Sequence, residues 1–158
     1  MTLDIFIRKW THPKYPPEMI SCEELLRAKR RFGFYYPADY KTAVEQFGLP
    51  HLTIALLEAI VERGIDLDCV MEFLNPEEAV TATLAWRKVG LPRNLVAFAS
   101  DPSGHLFCFD ADELHSESTA SSTVWYYDHD FNIARTVAPS FLVWIEAFCG
   151  IEPMPSQA

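Results

Sequence analysis

The hydrophobic period of this chain changes at Pro92, and that change limits the possible folds more than any other feature. Before it, apolar residues recur at helical spacing: in "YPADYKTAVEQFG", Tyr40, Ala43, Val44 and Phe47 fall at i, i+3, i+4 and i+7. After it, "LVAFAS", "HLFCFDAD", "TVWYYDH" and "FNIARTVA" are short runs suited to strands. The first two flank "DPSG", four residues that favour a tight turn, so they predict a hairpin. The last two join near Asp128-His129-Asp130, after the polar loop "HSESTASS".

The helices are marked at their ends. Ser21 and Glu24 form a capping box and Gly33 a stop, which predicts a helix over 22–32. Pro37 suits the first turn of the next, and Gly48 ends it. "HLTIALLEAIVERG" predicts a third helix and "DCVMEFL" a short strand. In "NPEEAVTATLAWRKVG", Asn75 caps, Pro76 takes the first turn, Glu77 and Glu78 favour the positive end, and Arg87 and Lys88 the negative one. "PSFLVWIEAFCG" places Phe141, Trp144, Ile145 and Phe148 on one face of a closing helix. The expected fold is α+β: an antiparallel sheet of about four to six strands packed with N-terminal, middle and C-terminal helices. With no internal repeat or linker, residues 1–150 read as one domain and 151–158 as a tail expected to fray.

Charge is unevenly placed. Residues 1–50 carry a net +2 and residues 51–158 a net −11, giving −9 for the chain. Phosphate binding is carried by Lys and Arg, so this balance argues against nucleic acid as ligand and suits solubility or a basic partner. The basic run Arg27, Lys29, Arg30, Arg31 reads as a solvated helix face. "MTLDIFIRKW" makes a poor signal peptide, because its apolar run is short and broken by Asp4, and no run reaches the ~20 residues of a membrane span. A cytoplasmic location without a membrane partner is therefore expected. Cys22, Cys69, Cys108 and Cys149 lack paired spacing and read as buried or inert thiols.

Catalytic and metal patterns are weak. Ser103 lies in a turn, outside any G-x-S-x-G elbow. Cys108 alternates with Phe107 and Phe109 as a strand residue would. "DPSGHLFCFDADE" follows its glycine with apolar residues, unlike a calcium loop, and the histidines at 12, 51, 105, 115 and 129 form no HxH or HExxH pair. No metal, cofactor or catalytic residue is expected. By strand alternation Asp110 and Asp112 share a face, which a charged strand end explains more simply than acid–base chemistry. Trp125, Tyr126 and Tyr127 alternate across a strand, so one face meets the core and the other is free to expose an aromatic anchor.

Three stretches together resemble the SUKH superfamily of Smi/Knr-like domains: "FYYPADYKTAVEQFG", "LPRNLVAFASDPSGHLFCFDAD" and "VWYYDHD…IARTVAPSFLVWIEAF", spanning roughly 20–150. At matching positions the resemblance makes Pro37, Asp39, Tyr40, Gly104 and Asp110 fold-specifying residues. It departs at "GLPHLTIALLEAIVERGIDLD", helical here where the family often turns early into a strand. The resemblance implies a domain without catalytic residues, in bacteria mostly an immunity protein against a secreted polymorphic toxin. The leading expectation is thus a cytoplasmic protein that occludes a cognate toxin, one candidate being a nuclease with a basic groove. Asp101, Asp110, Asp112, Glu113, Asp128 and Asp130 would form the acidic rim, with Trp125 or a neighbouring Tyr as anchor. The alternative is an intracellular scaffold or regulatory domain with several partners.

Overall fold

In the computed structural model, which describes residues 2–155, five strands form a simple antiparallel meander in the order β1-β2-β3-β4-β5. They are β1 (Glu72–Phe73), β2 (Leu95–Ser100), β3 (Leu106–Asp110), β4 (Val124–Asp128) and β5 (Ile133–Ala138). Six helices accompany them: α1 (Thr2–Trp10), α2 (Cys22–Phe32), α3 (Ala38–Phe47), α4 (Ala55–Arg63), α5 (Pro76–Arg87) and α6 (Phe141–Cys149). The fold is α+β, as the change of period at Pro92 requires.

Both faces of the sheet are covered, and strand alternation decides which side chain meets which layer. Val96, Phe98, Phe107, Phe109, Val124 and Tyr126 point into the main core with α1, α2, α3, α4 and α6. Leu95, Ala97, Leu106, Cys108 and Tyr127 point the other way, into a smaller core beneath α5. A bulge between Ala97 and Ala99 shifts the β2–β3 register, so that Phe98 and Ala99 both join the main core. The centre of that core is aromatic. Phe98 stacks on Phe109 at 4.1 Å, and Tyr40 meets Phe98, Phe109 and Phe141 edge-on. Such pairs add about 0.5–1.5 kcal/mol each beyond the area they bury.

The capping boxes form at Ser21–Glu24 and Asn75–Glu78. Pro37 stands just outside α3, as its N-cap residue with extended backbone. α4 starts at Ala55, later than the apolar pattern suggests, because Leu52 is held in an antiparallel bridge to Thr11. β1 is only two residues long, although Met71 and Leu74 also donate backbone bonds to Ser100 and Phe98. α1, which the sequence reading did not assign, buries Leu3, Phe6 and Trp10 and packs on α6. Its Trp10 Nε1 donates to the Phe148 carbonyl and its Lys9 Nζ to those of Cys149 and Ile151. Ile151 is itself buried, and Arg63 bonds the carbonyls of Glu152 and Pro153, so the tail is tied down as far as these residues. Residues 156–158 of the expected tail lie outside the described residues.

Of the four thiols, Cys69 and Cys108 are buried, Cys149 is half-buried and Cys22 is exposed. Trp125 is half-buried against the smaller core rather than free on an open face, because α5 covers that side.

Candidate functional site at the turn end of the sheet

The β2–β3 turn is organised by one carboxylate. Asp101 Oδ1 accepts the N–H groups of Ser103 (2.9 Å) and His105 (2.8 Å), and Gly104 adopts φ +84°, a conformation that β-branched and bulky side chains resist. The β4–β5 turn repeats the device. Asp128 Oδ1 accepts from the N–H groups of Asp130 and Phe131, and Asn132 sits at φ +52° with its Oδ1 taking the Tyr127 hydroxyl proton at 2.7 Å. The register Leu106↔Tyr127 brings the two turns together at one end of the sheet.

Between them lies His105, 9% exposed. Its Nδ1 is 2.6 Å from the Tyr126 hydroxyl, which donates to Asp101 Oδ2 at 2.7 Å. Its Nε2 faces Asp130 Oδ2 at 3.1 Å and Asp128 Oδ1 at 3.5 Å. His129 meets it edge to face, with centroids 4.5 Å apart, and stacks on Trp86 of α5 at 4.6 Å. Burial first, then the Asp101 carboxylate, pushes ionisation of Tyr126 far above the ordinary tyrosine range, so it stays a neutral donor. Burial, reinforced by the charge of Asp101, pushes the Cys69 thiol up to about 11. The Asp101–Tyr126–His105 chain ends on Asp130, a carboxylate, rather than on a hydroxyl or thiol that could attack a substrate.

The remaining acids of the expected rim lie at the opposite end of β3, four residues or about 13 Å away. β3 stops at Asp110, and Ala111–Glu113 turn as a short 3-10 segment, so Asp112 does not share a strand face with Asp110. Instead Asp110 Oδ1 accepts the Asp112 N–H and the Asn94 side-chain amide. Glu113 accepts the Thr123 N–H and hydroxyl. Asp39 belongs to this end too. Its carboxylate receives the N–H of Tyr40 and of Leu142 in the first turn of α6, while its own N–H donates to Ala120. Pro37, Asp39, Tyr40, Gly104 and Asp110 thus all occupy caps, turns or core contacts.

Large apolar side chains stand open around the turn end: Phe131 is 74% exposed, Ile133 57% and Val89 66%. Gly90 packs so closely that a Cβ there would lie 2.5 Å from Asn132 Oδ1, and its φ of +132° also demands glycine. This sets the Val89 segment beside the β4–β5 turn. Sequence patterns give no role to Phe131, and they set His105 and His129 aside because the two come together only through strand pairing, not through HxH or HExxH spacing. A separate cleft of about 660 Å³ runs between α2 and α5, where Arg27, Arg31 and Lys88 alternate with Glu24 and Glu77 over Ala28, Val80 and Leu84. No helix among the described residues is long and apolar enough to cross a membrane.

Comparison with known proteins agrees with this layout. The model of the SMI1 / KNR4 family (SUKH-1) matches residues 19–147, from just before α2 to within α6. No curated protein gives a significant match to the chain.

Proposed function

Because the chain belongs to the SMI1/KNR4 (SUKH-1) family, we propose that it is a non-catalytic binding protein of the immunity type, which holds a cognate toxin and blocks its active site. The observation that carries this reading is Phe131, a large aromatic left 74% exposed at a turn whose neighbours are Asp128 and Asp130. A protruding aromatic with a charged surround has the composition of an interface hot spot. Phe131 replaces Trp125 as anchor, since the Trp125 ring packs on the smaller core. The net −9 charge suits a basic partner surface such as a nuclease groove, where complementary fields accelerate and orient association. A standard interface of about 1,600 Å² would cover the turn end and the adjoining β5 edge.

Co-expression with a toxin-bearing reading frame found next to this chain's gene tests the proposal. Growth rescue and a co-purified complex are expected. Phe131→Ala should weaken the complex by ten-fold or more, about 1.4 kcal/mol or above, without changing the unfolding free energy by more than a few tenths of a kcal/mol. Absence of both rescue and complex would sink the reading. Raising the salt should slow association most, as screening of a steered encounter requires.

A further inference from the structure

We propose that His105, His129 and Asp130 form a binding site for one divalent transition-metal ion, with zinc the best fit. The Asp101 carboxylate can only accept, so the Tyr126 hydroxyl spends its proton there, and the Tyr126 oxygen takes the proton on His105 Nδ1. His129 Nε2 lies 3.4 Å from the Ser103 carbonyl, an acceptor suited to an N–H on that nitrogen. Each imidazole therefore turns its other nitrogen toward the same carboxylate. His105 Nε2 is 3.1 Å from Asp130 Oδ2, and His129 Nδ1 is 3.3 Å from Asp130 Oδ1.

One divalent ion among these three groups would sit where both imidazole nitrogens and the carboxylate converge. Ligand atoms from the three residues lie within 4.8 Å of one another. Tetrahedral zinc, with bonds of about 2.0–2.1 Å, holds its ligands about 3.3 Å apart. The adjustment, up to about 1.5 Å, falls on the β4–β5 turn, where Asp130 is exposed.

The supporting contacts have the pattern of a metal site. A ligating histidine almost always donates its far N–H to an oxygen, which fixes tautomer and ring orientation. His105 does so to Tyr126, backed by Asp101, and His129 does so to Ser103 while stacked on Trp86. Two imidazoles and one carboxylate favour zinc, cobalt or nickel over calcium and magnesium, which prefer all-oxygen shells. Bound there, the ion would clamp the β2–β3 turn to the β4–β5 turn and leave a coordination position open. This inference does not depend on the toxin, and its test uses no partner.

The test is titration of the chelator-treated full chain with ZnCl2 by calorimetry, and with CoCl2 by its ligand-field absorption. One ion per chain is expected, with a rise in the thermal midpoint and weaker binding at acid pH as the imidazoles protonate. His129→Gln and Asp130→Asn should each lower affinity about tenfold or more. His51→Gln and His115→Gln, which alter histidines outside the site, should leave it unchanged. His129 and Asp130 lie on a turn, so these variants keep the proposal falsifiable even if His105→Gln fails to fold. No heat and no midpoint shift at about 100 µM zinc, or binding indifferent to both His129→Gln and Asp130→Asn, would overturn it.

Discussion

The two ends of the sheet carry acids in similar number and use them differently. At the Asp110 end each carboxylate serves mainly local chain geometry: Asp110 caps a short turn, Glu113 holds Thr123, and Asp39 ties the start of α3 to that of α6. At the Asp101 end the carboxylates organise their turns and also surround a buried imidazole. The difference shows why acidity read along a sequence is a poor guide to a surface. Asp101 and Asp110 are nine positions apart and lie at opposite ends, whereas Asp101 and Asp130, far apart in sequence, flank one histidine. A carboxylate whose lone pairs are occupied by the protein has little left to offer a partner.

The largest expected effect tests whether this asymmetry is energetic. Asp101→Ala removes the acceptor for the Tyr126 hydroxyl and for two backbone N–H groups, and it leaves the buried hydroxyl without its acceptor. A cost of about 3 kcal/mol is expected in urea unfolding. Asp110→Ala loses a half-exposed cap and one amide contact, for about 1 kcal/mol. Glu113→Ala, more exposed still, should cost about 0.5 kcal/mol. Equal costs for Asp101→Ala and Asp110→Ala would erase the distinction between the two ends.

The same contrast explains what could be read in advance. Elements were legible where local chemistry punctuates them: Ser21 with Glu24, Asn75 with Pro76. α1 is less legible because it is only nine residues long, although Leu3, Phe6 and Trp10 fall on one face. The cover over the second face of the sheet had a cue in "LVAFAS", since an unbroken apolar strand is the mark of burial on both sides. Missing that cue put Trp125 on an open surface. The histidine site left no motif, because its ligands come from two turns and meet only through the β3–β4 register. Local patterns report caps and periods; they carry no information on which turns the pairing of strands will juxtapose.

The smallest effect concerns Asp39, the most deeply placed carboxylate at the Asp110 end. Burial raises its pKa above the ordinary aspartate value, outweighing the pull of the N–H groups of Tyr40 and Leu142. Its folded pKa therefore exceeds the unfolded one, near 3.9, and the native state binds this proton more tightly. For such a group stability falls as pH rises from the unfolded toward the folded value, and it returns as pH drops back through that window. Asp39→Asn abolishes the titration while keeping the side chain's shape. The wild type minus variant difference in urea midpoint should therefore shift toward the wild type between pH 7 and about 4, even as acid destabilises both proteins. Comparing the two at each pH cancels every other titrating group. A difference that moves the opposite way would mean that the two N–H bonds outweigh burial, and that Asp39 behaves as an ordinary cap like Asp110.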